Sequence, residues 1–134
     1  MAKITSIIQD QDQDYKVVLT SESGNTLIAD EPEHLGGQDL GFSPKELLAS
    51  ALAACTSATL KMYAGRKNWD LQKVRISIEL DYMPNEHKTN IRRKLEFVGD
   101  LDTAQKDRLL QIANRCPVHK ILENTIHIET AYKN

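Results

Sequence analysis

The sequence has few of the residues that make staples, stacks and membrane spans. Two of its 134 residues are cysteine, one is tryptophan, and aromatic side chains amount to 5%. Two cysteines are too few for a disulfide scaffold or a four-cysteine zinc site, and His34, His87, His119 and His127 show no ligand spacing with them. Neither a metal nor a cofactor is expected. No charge dominates either: 17 basic against 19 acidic side chains leave a net charge of −2, so no overall positive field attracts nucleic-acid phosphates or an anionic bilayer. No run approaches the ~20 apolar residues that cross a membrane. The start, Met1-Ala2-Lys3-Ile4-Thr5, also lacks the apolar core of a signal peptide. The chain reads as a cytoplasmic protein with no nucleic-acid or membrane partner, and its length suits a single domain over residues 1–134.

What is present is a regular succession of short elements. Ile4 to Ile8, Tyr15 to Thr20 and Thr26 to Ala29 are β-rich runs, the last two separated by the turn signal Ser23-Gly24-Asn25. From Asp30 to Phe42 the chain carries a proline, three glycines and no periodicity, a loop long enough to suggest function. Ser43-Pro44-Lys45-Glu46 then opens a helix: Ser43 caps, Pro44 takes the first position, and Glu46 completes a capping box. The helix continues to about Gly65 and carries no charge between Leu47 and Leu60, as expected for a central helix surrounded by protein.

Leu71 to Tyr82 and Asn90 to Val98 alternate apolar with polar residues and predict a long hairpin. A second capped helix starts at Asp102-Thr103-Ala104-Gln105 and runs to Arg115, where Cys116-Pro117 interrupts it. A short turn over Val118 to Leu122 and a last strand over Thr125 to Tyr132 complete the order βββ-α-ββ-α-β, an α+β fold of about six strands and two main helices.

Chemistry is concentrated in the two thiols. Cys55 lies mid-helix on a face with Leu48, Ala51, Leu52, Thr59 and Met62, where a cysteine can be no more than a small buried hydrophobe. Cys116 follows Arg115, stands near His119 and precedes a candidate helical turn, and cations and helix N-termini both favour the thiolate. It could equally be filler at a helix end. The Arg92-Arg93-Lys94 cluster reads as a solvated face, and Tyr63 and Trp69 as core or interface residues.

Several blocks together resemble the OsmC/Ohr family in its general OsmC-like branch. They are Ala29-Asp30-Glu31-Pro32, Gly36-Gly37, Ser43-Pro44 with Glu46-Leu47-Leu48-Ala49, Leu52-Ala53-Ala54-Cys55-Thr56, Met62-Tyr63-Ala64, and Arg115-Cys116-Pro117-Val118-His119-Lys120. The resemblance runs from about Tyr15 to the C-terminus. It implies an intertwined homodimer and a thiol-dependent peroxidase acting on small organic hydroperoxides, with Cys55 attacking, Cys116 resolving, and a dithiol reductant regenerating the pair. The loop residues Asp30, Glu31, Gly36 and Gly37 would then shape the mouth of the site.

The sequence departs from the family's peroxidases where the cysteine is activated. They carry an arginine in the N-terminal strands and a glutamate two residues after an asparagine on the central helix. Here no arginine precedes Arg66, Ser43 replaces the asparagine, Lys45 takes the glutamate's position and Glu46 is displaced by one. Lys45 is about 15 Å along the helix axis from Cys55. The substitute cations are Lys16, Arg115, His119 or a residue of a partner chain. A non-peroxidase binding protein for an apolar or thiol metabolite, with non-catalytic cysteines, is the alternative function.

Overall fold

The structure, a computed structural model, describes residues 1–9 and 14–133. The chain forms two compact units, Met1–Leu48 and Ala49–Asn134. In the first, strands β1 (Ile4–Ile7), β2 (Val17–Ser21) and β3 (Thr26–Ala29) make an antiparallel sheet in the order β1-β2-β3. Gly24, in the β2–β3 turn, takes a φ of 94°, which side-chain-bearing residues resist.

The loop that follows is ordered around Asp30, which is only 2% exposed. Its Oδ1 accepts from the Glu31 N–H at 2.8 Å, and its Oδ2 from the N–H groups of Gln38 at 3.2 Å and Leu40 at 3.1 Å. One buried carboxylate thereby satisfies three loop donors that would otherwise lack partners. Ser43 and Glu46 then cap helix α1 (Pro44–Lys67) reciprocally, the Ser43 N–H donating to Glu46 Oε1 at 2.9 Å and the Glu46 N–H to Ser43 Oγ at 3.3 Å.

In the second unit, β4 (Lys73–Met83) and β5 (Lys88–Val98) form an eleven-pair antiparallel ladder from Lys73↔Val98 to Met83↔Lys88. Helices α2 (Thr103–Ala113) and α3 (Pro117–Glu123) follow. The core comprises Leu60 and Ala64 of α1, Leu71, and Leu109, Ile112 and Ala113 of α2, with Val74, Leu95 and Phe97 of the hairpin and Trp69 packed against it. Tyr63 meets Trp69 edge to face at 5.5 Å. Asp102 caps α2 with Gln105, as the sequence pattern implies.

Three features differ from the sequence expectation. Helix α1 runs past Gly65 and ends where Asn68 turns left-handed at φ 56°, with the Trp69 N–H returning to the Ala64 carbonyl at 2.9 Å. That closure needs a residue tolerant of positive φ just after the last turn, and asparagine supplies it. The buried side of α1 is a stripe, Leu52, Thr56, Leu60 and Ala64, rather than its whole circumference. By length and composition α1 could cross a membrane, yet Leu60 and Ala64 of this stripe pack into the second unit's core.

The strand expected over Thr125–Tyr132 does not form, and no regular element follows α3 among the described residues. Its alternation is intact, but a strand exists only where a neighbouring edge takes up its backbone groups, and here Ile128 is 79% and Tyr132 97% exposed.

Leu109→Ala should lower unfolding free energy by about 2–5 kcal/mol, because the residue is fully buried among α1 and hairpin side chains. Asp30→Asn should lower it by about 1–3 kcal/mol, since an amide turns donors toward the loop's own N–H groups. Urea midpoints measure both; an unchanged midpoint for the asparagine variant would show that the carboxylate does not organise the loop.

Candidate functional site

Two junctions in the second unit bring sulfur to one place. Cys55 and Thr56 are neighbours on α1, where the Thr56 hydroxyl donates to the Leu52 carbonyl at 2.7 Å and the Thr59 hydroxyl to the Cys55 carbonyl at 2.8 Å. Cys116 stands at the break between α2 and α3, held there because Pro117 can begin a helix but not continue one. Both cysteines are free thiols, Cys55 half-buried and Cys116 completely buried.

The two sulfurs lie close enough to shift each other's titration. Burial pushes the Cys55 thiol up and hydrogen bonding with Cys116 adds to it, against the smaller opposing effects of the Val118 N–H and the Thr59 hydroxyl. Burial also raises Cys116, but hydrogen bonding from Cys55, the His119 N–H, the Thr56 hydroxyl and the Val118 N–H outweigh it and bring that thiol below its ordinary value. Negative charge is thus favoured on the buried sulfur and the proton on the accessible one.

Access and acidity lie on opposite sides of the pair. Cys55 lines a cavity of about 280 Å³ with Ala58, Thr59, Met62, Arg66, Arg115 and Pro117. The lining is mostly apolar, with two arginines among its residues.

A charged residue that the sequence reading assigned to a solvated cluster turns inward. On β5, Arg92 faces out and pairs with Glu79 at 2.9 Å, whereas Arg93 faces the side that carries Ile91 and Leu95. Its Nη1 donates to Thr56 Oγ1 at 2.9 Å, and its Nη2 donates to Asn114 Oδ1 at 3.0 Å and lies 3.1 Å from His119 Nδ1. A guanidinium only donates, so His119 accepts at Nδ1 and carries its proton on Nε2, 2.6 Å from Glu123 Oε1. His119 therefore sits as an acceptor, and the positive charge of this cluster is that of Arg93. Burial draws the Arg93 guanidinium down from its usual value, while the negative charges of Cys116 and Glu123 oppose that.

Of the residues expected at a site, the second unit brings together Cys55, Cys116, Arg115 and His119. The others belong to the first unit. Glu31 and Lys45 line a separate cavity of about 270 Å³ with His34 and Ser43, and Lys16 immediately precedes β2. Asp30 is the loop anchor already described, and Glu46 the helix cap, its carboxyl held below the usual range by the Ser43 N–H and then the Ser43 hydroxyl. Gly36 takes a φ of 91°, and a Cβ on Gly37 would fall 1.9 Å from the Glu31 carbonyl oxygen, so the loop closes only on glycine. Among the described residues no group of His, Cys, Asp and Glu could hold a metal.

Comparison with known proteins places the chain. The OsmC-like protein family matches residues 36–131. No curated protein matches significantly. Among solved structures, the OsmC-like protein of Mycoplasma pneumoniae is similar with a TM-score of 0.75 at 22% identity, covering 92% of this chain and 87% of that one. Two others are the organic hydroperoxide resistance proteins OhrB of Bacillus subtilis, with a TM-score of 0.62 at 22% identity over 92% and 90% of the two chains, and OsmC of Legionella pneumophila, 0.66 at 19% over 92% and 89%. These likenesses show the α+β fold, and the match over residues 36–131 shows that the chain belongs to the OsmC-like family.

Proposed function

We propose that the protein is a thiol-dependent peroxidase that reduces organic hydroperoxides, with Cys55 attacking and Cys116 resolving. The observation that carries this reading is a pair of free thiols that shift each other's titration, Cys55 opening on an apolar cavity and Cys116 fully buried at the α2–α3 break. The order of events follows from access. A peroxide entering the cavity meets Cys55; attack on its distal oxygen breaks the O–O bond, releases an alcohol and leaves a sulfenic acid. Cys116 then displaces that oxygen as water and closes a disulfide, which a dithiol reduces. Apolar walls favour a bulky organic hydroperoxide over hydrogen peroxide. Two similar structures bear the name organic hydroperoxide resistance protein, which agrees with this reading.

A homodimer is part of the proposal. Ile4, Ile7, Leu27, Ile28 and Phe42 of the first unit are exposed, as are Met62 and the alternating Ile126, Ile128 and Tyr132 of the second. Large apolar side chains left exposed in this number in each unit favour an interaction surface. A second copy of the chain supplies apolar cover and a sheet edge for the segment after α3.

A binding protein for an apolar or thiol metabolite is the second reading, favoured by one observation: Cys55, the accessible thiol, is the one whose ionisation is opposed.

One equivalent of cumene hydroperoxide should consume both thiols and lower the mass of the intact chain by two hydrogens, with Cys55→Ser abolishing the change. Thiols that stay free would remove the peroxidase reading; a ligand-induced thermal shift that survives Cys55→Ser would then support the second. Sedimentation equilibrium at micromolar concentration should give twice the mass of one chain, and a single-chain mass would contradict the dimer.

A further inference from the structure

We propose that Arg66 and Arg115 form an anion-binding subsite in the cavity that Cys55 lines, and that this subsite selects small organic hydroperoxides carrying a carboxylate. The subsite stands on the cavity's own residues; the choice of a hydroperoxide as its occupant rests on the peroxidase reading.

Six arginines occur in the sequence, and the protein itself engages four of them. Arg75 pairs with Glu96 at 3.2 Å and Arg92 with Glu79 at 2.9 Å, while Arg93 bonds Thr56 and Asn114 and Arg108 bonds Tyr63 and Gln111. Among the described residues, the side chains of Arg66 and Arg115 make neither a hydrogen bond nor an ion pair. These two are the arginines that line the Cys55 cavity. Both are exposed, so each keeps its N–H donors for a ligand and gives up no internal partner on binding one.

The charge on the cavity wall has one sign. Ala58, Met62 and Pro117 are apolar, and Thr59 spends its hydroxyl proton on the Cys55 carbonyl at 2.8 Å; Arg66 and Arg115 are the charged lining residues, with no carboxylate beside them in the lining. Two other cavities differ in this respect: the one lined by Arg92 and Arg93 also contains Glu123, and the one lined by His34 and Lys45 contains Glu31. Arg66 lies in the last turn of α1 and Arg115 just past the end of α2, where a helix C-terminus favours cations. That accounts for each charge singly, and not for two on one cavity without a counter-charge.

The walls define the occupant. A planar guanidinium meets a carboxylate in a two-pronged hydrogen-bonded pair, and the apolar residues take a hydrocarbon body. At about 280 Å³ the space falls just below the ~300–1,000 Å³ of sites for drug-sized ligands, so that body is short. The ligand is an amphipathic acid whose peroxide group reaches Cys55. In its reduction the Cys55 sulfur takes the distal oxygen, the O–O bond breaks, and the proximal oxygen leaves as the alcohol with the thiol's proton. The sulfur loses two electrons to become a sulfenic acid, and the carboxylate is unchanged.

Alkylation of Cys55 tests the subsite without any peroxide. Iodoacetate and iodoacetamide are close in size and both lose iodide to the thiolate, but only the first is an anion, so the ratio of their rates cancels the thiol's own reactivity. Read on the Cys55 peptide and divided by the same ratio for free cysteine, it should exceed about ten at low salt and shrink as salt is added. Arg66→Met and Arg115→Met should each lower it about threefold or more. Arg115→Lys should keep most of it, and Arg75→Met, which removes an exposed charge outside the cavity, should leave it unchanged. Cumene hydroperoxide bearing a para-carboxylate should be reduced with a kcat/KM about tenfold above that of cumene hydroperoxide itself, chiefly through KM, and the two cavity variants should lose that advantage. A normalised alkylation ratio of one, a ratio unmoved in both Arg66→Met and Arg115→Met, or an equal fall in Arg75→Met overturns the subsite. Selective alkylation in a protein that reduces both hydroperoxides equally overturns the carboxylate-bearing hydroperoxide as its occupant. Selective alkylation in a protein inert to both would sink the peroxidase reading and leave the subsite standing.

Discussion

A cation turned into the protein must be answered by something, and in the second unit that requirement organises everything near the thiols. Arg93 occupies a position on β5 whose neighbours on the same face are Ile91 and Leu95. From there its guanidinium ties α1, the end of α2 and the start of α3 to one strand through Thr56, Asn114 and His119. The cysteines sit on the elements that it joins. Remove the guanidinium and its three neutral acceptors lose the donor that ties them to one strand.

Division of labour between the two sulfurs follows from where each lies. The α1 position gives Cys55 the cavity, and the break before Pro117 gives Cys116 burial together with the N–H groups of Val118 and His119. Burial thus opposes ionisation of the accessible sulfur, while neighbouring N–H groups favour it on the buried one.

Much of this was legible in the residues. Capping boxes at Ser43 and Asp102, the hairpin's alternation and the interruption at Cys116-Pro117 each follow from local stereochemistry, and the structure has them. The pairing of Cys55 with Cys116 was not, because their 61-residue separation carries no contact information; only resemblance to a family linked them. Arg93 was half legible: period-two alternation puts it with Ile91 and Leu95, yet its place in the run Arg92-Arg93-Lys94 reads as solvated charge. The segment after α3 has a strand's pattern without a strand's partner, because pairing is a property of the neighbouring edge and not of the segment. For Asp30, three loop N–H groups decide its position in the first unit, and no composition rule counts them.

The central proposal is that Cys55 is a peroxide-reactive thiol whose oxidised form Cys116 resolves. Its most direct measurement is the second-order rate of thiol loss with cumene hydroperoxide, beside hydrogen peroxide and free cysteine at the same pH. The account predicts loss orders of magnitude faster than free cysteine, faster with the organic hydroperoxide than with hydrogen peroxide, and one thiol consumed instead of two in Cys116→Ser; a rate equal to that of free cysteine would contradict it.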